Sequence, residues 1–190
     1  MNNEKIEQLW EEILECIGED KNREGLKETP KRISKMYREI FKGYIDIPPM
    51  VTTFDNGKDG ITYDQMIVDI GKYYSQCEHH CISFFGEYYF AYIPEKNGKI
   101  LGLSKVARVV DYFSSKLQVQ ERLGHEIVEY LWNELSKEGV GPKGMALIMK
   151  GKHLCKCSRG IKNDGIMITS VIRGVFDKHE VREEFLNLIK

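Results

Sequence analysis

Ile6, Leu9, Trp10, Ile13, Leu14 and Ile17 recur at three- and four-residue intervals until Gly18 breaks the series, a pattern that predicts an amphipathic helix. A second helix is predicted from Thr29-Pro30, a capping residue followed by proline at the first helical position. It would carry Ile33, Met36, Tyr37, Ile40 and Phe41 inward and end at Gly43. Pro48, Pro49, Gly57 and Gly60 then mark a loop. The expected organisation is an N-terminal helical region and linker at 1–60, followed by the main domain at 61–190.

Beyond the loop the period shortens to two. Met66, Val68 and Ile70 alternate with polar positions, as do Tyr88, Phe90 and Tyr92 before Pro94, and both runs predict strands. Ser104 caps a predicted helix with Val106, Val109, Val110 and Phe113 on its apolar side. Another helix is expected from near Val119 to Leu135, presenting Leu123, Ile127, Tyr130 and Leu131. Met145, Leu147 and Met149 mark a third strand, and Ile166 to Val175 a fourth. A last helix runs from about Lys178 to Ile189. Two strand pairs flanking two helices predict an α+β fold, an antiparallel sheet with helices on one face. Its open edges favour self-association.

Composition narrows the classes. The 190 residues are 42% hydrophobic and 30% charged, with a formal net charge of -1. That balance suits one substantial core and gives no bulk attraction to nucleic acid or anionic membrane. No apolar run approaches the roughly 20 residues that span a bilayer. The first residues run straight into a charged amphipathic pattern, which reads as lacking a secretory signal. With five cysteines, an odd number, the expectation is reduced thiols in a cytoplasmic protein. Cys16 stands alone and reads as a small buried hydrophobe.

Four of those cysteines fall in two short clusters, Cys77-Glu78-His79-His80-Cys81 and His153-Leu154-Cys155-Lys156-Cys157. Thiolate and imidazole are zinc's preferred donors. If the first cluster is a helical turn, Cys77 and His80 share a face and His79 is left for acid–base work; as a strand, Cys77 would pair with His79. The second cluster, as a strand, sets His153, Cys155 and Cys157 on one side. Three protein donors plus water would make a catalytic site and four a structural one, and spacing alone leaves both open.

Five segments, in order, resemble the signature motifs of the GTP cyclohydrolase I family. They are Gly25-Leu26-Lys27-Glu28-Thr29-Pro30-Lys31-Arg32, Ser75-Gln76-Cys77-Glu78-His79-His80, Gly102-Leu103-Ser104-Lys105, Gln118-Val119-Gln120-Glu121-Arg122-Leu123, and His153-Leu154-Cys155 with Arg159-Gly160. The resemblance implies a tunnelling fold, in which ββααββ units join edge to edge into a barrel, and a homodecamer of two stacked pentamers. It implies Zn2+ held by Cys77, His80 and Cys155, with catalytic roles for His79 as proton donor, His153 and Ser104. It places Glu121 and Gln120 at the guanine edge, Lys105, Arg108 and Arg159 on the substrate, and Arg32 and Lys35 at the triphosphate. The implied reaction opens GTP at guanine carbon 8 and ends in 7,8-dihydroneopterin triphosphate and formate, the first step of tetrahydrofolate and pterin biosynthesis.

The chain departs from the family pattern at Ser83, Lys116, Lys156 and Cys157, and Cys81 adds a further thiol. A second reading is a non-catalytic tunnelling-fold protein whose zinc is structural, closed by Cys157. A third, a zinc-stabilised nucleic-acid module, is weakened by the near-neutral charge and by the lack of paired Cys-x-x-Cys half-sites.

Overall fold

The structure, a computed structural model, describes residues 1–137 and 139–190. It divides into two units, Met1–Ile47 and Pro48–Lys190. In the first, α1 (Asn3–Cys16) is capped by Asn2, whose side-chain oxygen accepts from the Lys5 amide at 3.0 Å. Gly18, at φ 83, follows its end. α2 (Thr29–Ile40) has Pro30 in its first turn, with Glu28 rather than Thr29 at the N-cap position. Trp10 and Tyr37 meet edge to face at 6.4 Å between ring centres. Leu14 is the buried residue of α1, whereas Leu9, Ile13 and Ile17 are exposed. Cys16 is exposed too, which corrects its reading as a buried hydrophobe: it falls on the outer face of the helix.

The second unit takes in residues 48–60, which the sequence grouped with the N-terminal helices. There β1 (Thr53–Asp55) pairs antiparallel with β4 (Lys99–Leu101). Asn56 holds the adjoining loop by donating to the Tyr63 and Glu95 carbonyls at 2.7 and 3.0 Å.

The main sheet has the order β5-β2-β3-β6-β7, from β2 (Ile67–Cys77), β3 (Ser83–Ile93), β5 (Leu117–Gln118), β6 (Gly144–His153) and β7 (Ile166–Gly174). All its pairs are antiparallel except the short parallel contact of β5 with β2. Between the two hairpins run α3 (Lys105–Ser114) and α4 (Gln120–Ser136), completing the ββααββ order of the tunnelling fold. Alternation decides the faces. Tyr88, Phe90 and Tyr92 of β3 and Met145, Leu147 and Met149 of β6 pack against Val106, Val109, Leu123, Ile127 and Leu131 of the two helices. Tyr89, Ala91 and Ala146 point the other way and meet Phe185 of α6 (His179–Leu188). The expectation of helices on one face thus holds for α3 and α4, while the C-terminal helix covers part of the opposite face.

Register brings one end of the sheet together. Cys77 is the last residue of β2, Gln76 faces Ser83 at the start of β3, Phe84 faces His153 at the end of β6, and Cys77 lies beside Gln118 of β5. Four elements therefore begin or stop at the same edge, and the clustered cysteines and histidines sit there. The opposite end, where Ile67 faces Tyr92, carries β4 and the start of α3; the Leu101 amide donates to the Tyr92 hydroxyl at 3.0 Å.

Candidate active site

The first cluster folds as a tight turn between β2 and β3. The Cys77 amide donates to the Ile82 carbonyl at 2.9 Å and the Cys81 amide to the Cys77 carbonyl at 2.8 Å. Cys81 adopts φ 53 to close the turn. The turn is tied to the start of α4: the Glu78 amide donates to the Gln118 carbonyl at 3.0 Å, and the Glu78 carboxylate pairs with Arg122. Arg122 also donates to Gln118 Oε1 at 2.9 Å and to the Leu117 carbonyl at 3.1 Å.

The second cluster is not the strand it resembles in sequence. β6 stops at His153, and α5 (Leu154–Cys157) is a single helical turn closed by the Ser158 amide on the Leu154 carbonyl at 2.9 Å. A helical turn separates what a strand would align. Cys155 turns toward Cys77, with their sulfurs 3.7 Å apart. Asp164 has Cys157 and Lys152 as partners.

Cys77, His80 and Cys155 place one donor atom each within 4.8 Å of one another, the single such group of three among the described residues. Cys77 is buried, Cys155 half-buried and His80 exposed. Two sulfurs and an imidazole nitrogen are the soft and borderline donors that suit zinc. Burial, and then the adjacent Cys77 thiol, raise the Cys155 thiol above its ordinary range. Arg159 donates to His80 Nε2 at 2.9 Å, and His79 Nδ1 lies 3.7 Å from the Cys77 sulfur.

His153 stacks on Phe84, with ring centres 4.4 Å apart and planes 7° from parallel, and its Nε2 lies 3.1 Å from Gln120 Oε1. Burial lowers its pKa; Lys156 lowers it further, while the nearby Glu121 carboxylate opposes both. Glu121 itself is exposed in the first turn of α4. Gln120, read from the sequence as a second group at the guanine edge, has 0% exposure. Its amide donates to the Met149 carbonyl at 3.0 Å, the Met167 carbonyl at 3.2 Å and Thr169 Oγ1 at 3.1 Å. That amide is fully engaged inside the protein, which corrects the expectation that it reaches a ligand. Sequence reasoning missed Tyr73, Phe84 and the Glu78–Arg122 pair, which acquire their places only through strand register.

Ser104, Lys105 and Arg108 do not join the cluster within the chain. Ser104 stands at the N-cap position of α3 with no side-chain capping bond, and Lys105 and Arg108 follow in its first turn. They are at the end of the sheet where Ile67 faces Tyr92, separated from Cys77 by the length of β2, about 30 Å at the strand rise. Arg32 and Lys35 are exposed on α2 in the other unit.

Fold and donor set together define a tunnelling-fold protein with a site able to hold a metal. The chain matches the GTP cyclohydrolase I family over residues 6–190 and belongs to that family. It is 48% identical to the GTP cyclohydrolase 1 of Sulfurihydrogenibium sp., an alignment covering 100% of this chain and 96% of the relative. It is 43% identical to that of Aquifex aeolicus, covering 100% and 98%, and 42% identical to that of Caldanaerobacter subterraneus subsp. tengcongensis, covering 100% and 97%.

Proposed function

We propose that the protein is a zinc-dependent GTP cyclohydrolase that cleaves guanine at carbon 8, releases formate and delivers 7,8-dihydroneopterin triphosphate, the first step of tetrahydrofolate and pterin biosynthesis. The observation that carries this reading is the convergence of Cys77, His80 and Cys155 within 4.8 Å, with His79 on the same turn, in a member of this family. Those three residues would hold the ion. Zinc, when bound, supplies Lewis acidity that lowers the pKa of water to about 7.

The chain's own groups do the rest. His79 is exposed on the turn and next to a ligand, where an imidazole can give a proton to the purine as its five-membered ring opens. Glu121 accepts two parallel hydrogen bonds from the guanine edge, a pattern adenine cannot offer. His153, held against Phe84, faces the reacting region from the end of β6. Arg159 reaches the same region from the loop after α5. Arg32 and Lys35 supply charge for the triphosphate.

Ser104, Lys105 and Arg108 belong to this reading only if a second copy of the chain provides them, because within one chain they lie at the far end of the sheet. The proposal therefore includes a homo-oligomer, as a decamer of two pentamers, with open β-edges available for joining. Cytoplasmic placement belongs to it as well. No helix among the described residues is long and apolar enough to cross a membrane.

The test is to incubate the purified protein with GTP and follow formate release and pterin fluorescence, with and without a chelator. Turnover abolished by chelation and restored by zinc is expected; metal-replete protein that releases no formate would sink the reading.

A further inference from the structure

Gln120 sits where its two ends face chemically opposite surroundings. On one side are the Met149 and Met167 carbonyl oxygens, which can only accept. The amide nitrogen must therefore point there, and its oxygen points the other way. On that side the Tyr73 hydroxyl lies 3.0 Å from Oε1, and His153 Nε2 lies 3.1 Å from it. An oxygen facing Nε2 requires that nitrogen to carry the hydrogen.

The surrounding backbone is shaped to admit this arrangement. Tyr73, Gly86 and Gly151 form one row across three strands, Tyr73 facing Gly86 and Gly86 facing Gly151. A Cβ on Gly151 would lie 2.2 Å from Gln120 Oε1 and 2.3 Å from the Tyr73 hydroxyl. Only a glycine leaves room for the phenol and the amide to meet there. Phe84 stacking then removes the remaining freedom of the His153 ring to tilt.

We propose that Gln120 is a positioning residue that fixes His153 as its Nε2–H tautomer, leaving Nδ1 as the ring's lone-pair atom, able to accept a hydrogen bond. The effect on turnover rests on the proposed function; the tautomer assignment itself does not depend on GTP. The second link, from Tyr73 to Oε1, anchors the amide without changing which nitrogen of His153 is protonated.

The test is 15N NMR on histidine-labelled, metal-replete protein at mildly alkaline pH, with the His153 signals assigned by their loss in His153→Gln. The expected wild-type result is a pyrrole-type shift at Nε2 and a pyridine-type shift at Nδ1, and the reverse pair overturns the proposal. In Gln120→Leu the two tautomers should mix, with kcat down about tenfold or more and KM within about twofold. A Leu variant that retains those shifts also overturns it. The wild-type measurement stands even if the Leu variant does not fold. A locked ring in a protein without GTP turnover would refute the proposed activity and leave this assignment intact.

Discussion

The sulfurs of Cys77 and Cys155 lie 3.7 Å apart although 78 positions separate the residues in the chain. Neither cysteine is placed by its neighbours in sequence. Cys77 is fixed by the end of β2 and Cys155 by the helical turn that follows β6, and β3 joins the two strands into one frame. Cys155→Ser should accordingly lower the zinc content of purified protein, while Cys157→Ser, whose side chain lies by Asp164, should leave it unchanged. Metal analysis of the two variants side by side checks both halves.

His79→Ala should keep its zinc and lose turnover by about 10²- to 10⁴-fold, the usual range for a proton-transfer group. Loss of the ion in this variant would mean that His79 rather than His80 is the ligand.

Glu121 is exposed at the start of α4, so its removal should cost little stability. Glu121→Ala is expected to raise the KM for GTP while the melting temperature stays close to wild type. An unchanged KM removes Glu121 from the guanine edge.

Gly86 tests the sheet that positions the site. A Cβ there would lie 1.8 Å from the Lys150 carbonyl oxygen, a backbone atom that cannot swing aside. Gly86→Ala should destabilise the fold by about 3 kcal/mol or more, in the range of severe overpacking. Chemical denaturation gives the comparison, and a near-neutral result would show that β3 and β6 can separate locally.

Asp55 gives a pH signature away from the site. The hydrogen bond and charge of Lys99, with a smaller contribution from Lys58, hold its carboxyl below the ordinary value of 3.8. A depressed folded-state pKa means that the stabilisation is present above the unfolded value and is lost as pH falls through the folded one. The β1–β4 ribbon should therefore loosen in Asp55→Asn at neutral pH, and in wild type only in strong acid. Amide exchange of residues 53–55 and 99–101 reads both.

How much of this was legible in the sequence depended on where each signal resides. Long alternating runs such as Tyr88-Phe90-Tyr92 declared β3 because one face must be buried. The three-residue strands β1 and β4 and the two-residue β5 are too short to show any period, and they escaped notice. Cys77 and His80 shared a face in one of the two local readings, the turn, which is the conformation adopted. The second cluster misled: His153, Cys155 and Cys157 alternate as in a strand, yet the chain leaves the sheet at His153 and coils. Cys155 survives as a donor under either geometry, whereas Cys157 does not. Gln120 was drawn to the ligand by its motif, but its neighbours across β6 and β7 are invisible without register.

The assembly of the metal-capable group from both sides of β3 has a consequence for biosynthesis. While the ribosome is still making the first 150 residues, Cys77 and His80 have no third partner, and a two-donor fragment grips zinc weakly. Ion capture must then wait until β6 has been laid beside β3 and the chain has turned at Leu154. If the protein holds zinc as proposed, keeping the ion thus reports that β6 has paired in register with β3, and a polypeptide in which that pairing slips would reveal itself to the cell as one that cannot keep its ion.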